Sequence, residues 1–117
     1  MKGKIGDSQR LIHILEAIIE IEMYTLNTSL EGFLENSMMR FASIKQIEII
    51  GEASNYISEE TKSKFADIQW RQIIGMRHIL VHEYFGVDSQ LIWQIIIEDI
   101  PKLKNAVQSV ISAGDIE

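Results

Sequence analysis

A chain of 117 residues, 46% hydrophobic and 24% charged, has room for one packed domain over residues 1–117 and matches neither a disordered nor a fibrous composition. It contains no cysteine, hence no disulfide framework or thiolate nucleophile, and no apolar run approaches the roughly 20 residues that span a bilayer; the expectation is a cytoplasmic protein. A net charge of −6 argues against a broad basic surface that coats nucleic acid, yet residues 62–84 hold Lys62, Lys64, Arg71 and Arg77 against only Asp67 and Glu83. If the protein handles a polyanion, that segment is where.

The periodicity is helical nearly throughout, and no strand is predicted. Residues 8–26 place Leu11, Ile12, Ile14, Leu15, Ile18, Ile19, Met23 and Leu26 at helical spacing, with Glu16, Glu20 and Glu22 outside. Asn27-Thr28-Ser29 reads as a stop and restart; its match to a glycosylation pattern is chance in an unexported chain. A second helix is expected from residue 30 or 33 to 57. Around Phe41, Ile44, Ile47, Ile49 and Ile50 it is apolar over much of its circumference, which calls for cover on two sides and suggests a second copy of the protein. Ser58 caps a short helical piece through about residue 65. Asp67 is expected to cap a third long helix over 68–85, ended by Gly86. Asp88 or Ser89 opens the last helix, which runs to about residue 111, with a kink or restart at Pro101. The sum is an all-α, up-and-down bundle of about four main helices.

The third helix carries the anomaly. Trp70, Ile73, Ile74, Leu80, Val81 and Tyr84 project within about 60° of one direction, and Arg77 sits at the centre of that stripe. A guanidinium there needs a carboxylate such as Glu52, an interface or an anion. Its planar fork suits the two-point contact that phosphate oxygens offer. His78 and His82 lie on the adjacent stripe, with Arg71 further back. A metal site is a poor reading of this pair, because His13 stands on another helix and no cysteine completes a set. Arg77, His82 and Tyr84 instead supply a phosphate clamp, a group that titrates near neutrality and a hydroxyl. Those are the parts of RNA cleavage without metal or other cofactor: a base removes the 2′-OH proton, the oxygen attacks phosphorus, and a cation stabilises the equatorial oxygens.

Arg77-His78-Ile79-Leu80-Val81-His82-Glu83-Tyr84 has the form R-x-x-x-x-H-x-Y and resembles the signature of HEPN-domain ribonucleases of the HepT type, the toxin half of a toxin–antitoxin pair. Ile50-Gly51-Glu52-Ala53, Trp70-Arg71-Gln72-Ile73-Ile74-Gly75-Met76 and the pairing of Trp93 with Asp99-Ile100-Pro101-Lys102-Leu103 extend the likeness to about residues 5–110. Position 78 departs from it, since such proteins commonly carry Asn or Asp there. The resemblance implies a helical homodimer with two motif copies facing across a cleft. It also implies a partner, a minimal nucleotidyltransferase antitoxin that attaches AMP to the motif tyrosine, here Tyr84.

The resulting expectation is a metal-independent endoribonuclease. His82 acts as general base or acid and Arg77 steadies the transition-state phosphate, with His78, Arg71 and Glu52 in support. In an ideal helix positions 77 and 82 lie 140° apart and about 7.5 Å along the axis, so either the helix loosens before His82 or a second subunit completes the site. The rival reading is a noncatalytic helical module whose groove holds a nucleotide or a partner helix.

Overall fold

A computed structural model describes the backbone of residues 2–82 and 88–113 and the side chains of residues 6–76 and 88–113. Every regular element among them is helical. In chain order they are α1 (Lys2–Tyr24), α2 (Leu30–Glu35), α3 (Ser37–Asn55), α4 (Glu59–Lys64), α5 (Trp70–His82), α6 (Ser89–Gln94), a π-helical turn (Ile95–Asp99) and α7 (Ile100–Ala113). The all-α expectation holds. Its four main helices are α1, α3, α5 and the run from α6 through α7.

Three- and four-residue spacing builds the core. Leu11, Ile14, Ile18 and Ile21 on α1 are completely buried, as are Ile47 and Ile50 on α3 and Val107 on α7. Helix α1 packs along α3 and α7, and α3 packs along α1 and α5. Both covers that the apolar circumference of α3 demands are therefore present within the chain. What remains uncovered lies at the start of α3, where Met38 is 78% and Phe41 68% exposed. Two further contacts tie distant elements together. Phe33 of α2 packs on Trp93 of α6 with ring centroids 5.1 Å apart, and Lys104 of α7 bonds Glu22 of α1 at 3.0 Å.

Local chemistry sets the breaks. Asn27 takes the left-handed conformation (φ 58°) beyond α1, which asparagine tolerates better than most residues. The expected second helix, from residue 30 or 33 to 57, is corrected to two. Asn36 is extended and its side chain accepts from the Met39 amide at 3.0 Å, capping α3, while Arg40 reaches back to the Phe33 and Leu34 carbonyls left open at the end of α2. The third long helix starts at Trp70 rather than 68, so Asp67 lies in the preceding turn. The Trp70 indole N–H donates to the Phe65 carbonyl at 3.1 Å and fixes that start. Helix α5 is described as far as His82; Gly86 and the expected end near residue 85 lie outside the described residues. Asp88 caps α6 by accepting from the Gln90 and Leu91 amides.

Pro101 acts one turn before itself. In an unbroken α-helix its ring would meet the carbonyl four residues back, and it has no N–H to give. The chain answers with the π-turn, in which Ile100 N–H reaches the Ile95 carbonyl, five residues back, before α7 resumes.

Asp7 lies beyond the expected first helix and proves to be part of α1, completely buried. Its carboxylate accepts from Ser58 N–H at 2.9 Å and from the Ser58 and Thr61 hydroxyls at 2.5 Å each. Arg10 donates to the Tyr56 carbonyl at 3.0 Å and lies over the Tyr56 ring. Burial pushes the Asp7 carboxyl up, but the bonds from Ser58 and Thr61 and the Arg10 charge outweigh it, and the group sits below its ordinary value of 3.8. This latch joins the first turns of α1 to the cap of α4.

Candidate functional site

Helix α5 is positioned by its first half. Trp70, Ile73 and Met76 are buried, while Arg71 and Gln72 face solvent. The helix continues without interruption to His82. Arg71, Arg77, His78 and His82 thus share one rod, and Glu52 comes from α3, which lies along it. Glu52 is exposed. The side chains of Arg77, His78 and His82 are outside the described set, and so is Tyr84 altogether.

One alternative for the motif is decided by the backbone. The helix does not loosen before His82, so positions 77 and 82 keep their 140° separation and their offset of about 7.5 Å. A single copy of α5 presents the two motif positions in different directions.

Beside this helix opens a cleft of about 530 Å³, between α5 and the start of α7. Its floor is apolar: Ile68, Ile73, Met76, Leu103 and Ala106. Its rim is polar: Asp67, Gln69, Gln72, Asp99 and Lys102. The sequence reading did not identify this cleft. Its two available signals were the i, i+3, i+4, i+7 recurrence of Gln69, Gln72, Ile73 and Met76 and the same recurrence of Asp99, Lys102, Leu103 and Ala106.

His13 lies elsewhere, in a groove of about 500 Å³ between α1 and α3 with Glu16, Glu20 and Gln46. Among the described residues, no three of His, Cys, Asp and Glu cluster as metal ligands would, and no helix is long and apolar enough to cross a membrane.

Comparison with known proteins places these features in context. The family model "Ribonuclease HepT-like" matches residues 14–110. "Putative RNase MJ1380" of Methanocaldococcus jannaschii is 42% identical over 100 residues, covering 86% of this chain and 92% of that protein. "Probable ribonuclease HepT" of Thermococcus cleftensis is 42% identical over 97 residues, covering 83% and 88% respectively. No solved structure gives a significant match.

Proposed function

Because the chain belongs to the HepT-like ribonuclease family, we propose that it is a metal-independent endoribonuclease whose site is assembled from two copies of α5. The observation that carries this reading is the unbroken helix through His82. One rod cannot aim positions 77 and 82 at one phosphate, whereas two rods facing each other can supply Arg77 from one and His82 from the other. The pairing also brings two copies of the basic 62–84 segment into one groove, focusing positive potential in an otherwise acidic protein.

In this mechanism His82 of one copy takes the 2′-OH proton, the oxygen attacks the adjacent phosphorus, and the bond to the 5′-oxygen breaks as that oxygen takes a proton from the protonated His82 of the other copy. The products are a 2′,3′-cyclic phosphate and a free 5′-hydroxyl. Arg77 holds two equatorial oxygens as charge develops, and His78, Arg71 and Glu52 support it. The protein is the cytoplasmic toxin of a pair. Its partner is a nucleotidyltransferase antitoxin that adds AMP to Tyr84, and the added phosphate brings negative charge and bulk into a groove that must admit RNA.

The test is incubation of the purified protein with total RNA in excess EDTA, beside His82→Ala. Cleavage by the wild type alone, leaving cyclic-phosphate ends, is the expected result. A strict requirement for Mg²⁺ or Zn²⁺ overturns the mechanism, and RNA bound but left intact favours the noncatalytic module.

A further inference from the structure

We propose that the cleft between α5 and α7 is a base-recognition pocket that takes an adenine next to the scissile phosphate. The inference rests on the ribonuclease reading for its substrate and on separate observations for its chemistry.

Position comes first. Gln72, Ile73 and Met76 form the α5 face toward the cleft, with Gln69 just ahead of the helix, and Arg77 follows Met76 directly. From position 73 to position 77 the axis advances about 6 Å with a turn of only about 40°, so the two positions share a face of the helix. A phosphate held at Arg77 therefore places a neighbouring base within reach of the cleft.

The lining then selects among the parts of a nucleotide. Asp67 and Asp99 against a single Lys102 make the rim net acidic, which repels phosphate and leaves the neutral base as the portion that enters. Ile73, Met76 and Leu103 offer flat apolar contact to a ring, as pockets for extruded bases do. Carboxylates only accept, so they favour an edge with an exocyclic amino group. A glutamine amide matches the paired donor and acceptor of adenine N6 and N7. Uracil offers the same carboxylates one N3–H flanked by two carbonyl oxygens, and it has no exocyclic amino group. Among the described residues no hydrogen bond or ion pair occupies the side chains of Gln69, Gln72, Asp99 or Lys102.

The π-turn supplies the remaining support. It ends at Asp99, and the residues that follow place Asp99, Lys102 and Leu103 on one face, at the cleft. Turns of this kind are uncommon and often lie at functional sites. Here the turn relieves Pro101 and sets the far wall of the pocket.

Two measurements test the proposal. In the first, AMP and UMP are titrated into the full chain and followed by amide chemical shifts. AMP is expected to bind more tightly and to move Gln72, Met76 and Leu103, and Gln72→Ala is expected to abolish the difference. In the second, matched RNA oligonucleotides differ only in carrying adenine or uracil beside one cleavable phosphate. The wild type is expected to prefer adenine by about tenfold or more in kcat/KM, and Gln72→Ala or Asp99→Asn to bring the ratio near one, by a larger loss on the adenine substrate than on the uracil one, with Tm unchanged. A preference that survives both substitutions, or AMP shifts that map elsewhere, overturns the pocket and leaves the ribonuclease reading intact. If the wild type cuts no RNA, that reading fails and the titration alone decides the pocket: AMP binding lost in Gln72→Ala sustains it, and no AMP binding sinks it.

Discussion

Two polar regions of this molecule are built from similar side chains to opposite ends. At the latch, Asp7, Ser58, Thr61 and Arg10 find partners across more than 45 residues of sequence, and the carboxylate is withdrawn from solvent completely. At the α5–α7 cleft, Asp67, Gln69, Gln72, Asp99 and Lys102 stand around an apolar floor without such partners among the described residues. A buried carboxylate must be satisfied internally because its desolvation is costly. A carboxylate at an open rim keeps its water and can exchange it for a ligand. The contrast separates polar residues that hold the fold from those available for recognition.

The sharpest way to break this contrast is Asp7→Ala. It removes the shared acceptor of the Ser58 N–H and the Ser58 and Thr61 hydroxyls and leaves a gap where the buried carboxylate stood, and a loss of about 3 kcal/mol is expected, lowering Tm by about 10 °C. Cleavage measured well below both melting temperatures should be unchanged, because the latch lies outside the proposed site. A stability equal to wild type would mean that the latch bonds contribute nothing net.

Acid sharpens the same point. The folded pKa of Asp7 lies below its ordinary 3.8, so the unfolded chain takes up the proton first. The stability from this group is complete above that ordinary value and disappears as the pH falls through the lower folded value. Denaturant titrations at pH 6 and pH 3 should show a larger loss for wild type than for Asp7→Asn; equal losses would assign acid sensitivity to other carboxylates.

Phe41→Glu addresses the surface that neither region explains. The side chain is exposed, so the monomer should keep its Tm measured in dilute solution; if the proposed pairing of two copies also uses this surface, light scattering should show the mass of one chain and cleavage should be lost with it. A variant that stays dimeric and active would move the interface away from the start of α3. The smallest effect belongs to Ser54→Ala. This hydroxyl is buried with no hydrogen-bond partner among the described residues, and its removal should change stability by no more than about 1 kcal/mol, in the stabilising direction.

Local signals made much of the fold legible. Apolar residues at three- and four-residue spacing marked α1, α3, α5 and α7, and Ser58 and Asp88 cap the helices assigned to them. Asn36 escaped notice because the apolar pattern runs across it, and only its cap bond to Met39 divides the helix. Pro101 signalled a disturbance, but not that it would be absorbed as a π-turn one turn earlier. The latch and the cleft were illegible for a different reason. Asp7 meets Ser58 across 51 positions, and the cleft walls lie about 30 residues apart, so periodicity marks each wall by itself but does not bring distant partners together. The motif on α5 was legible as a string, and the continuity of the helix adds that positions 77 and 82 stay about 140° apart on one copy.

Arg77 tests the central claim most directly, because the pattern singles it out and the mechanism depends on its fork. Arg77→Lys and Arg77→Ala should be compared for Tm, dimer mass and RNA cleavage in EDTA. The account predicts that both remain folded and dimeric and that Arg77→Lys, with its charge kept, loses about 10²–10³ in rate, since an ammonium cannot reproduce the two-point contact with phosphate. An Arg77→Lys protein that cleaves as wild type does, or an Arg77→Ala protein whose activity falls only in step with its stability, would contradict it.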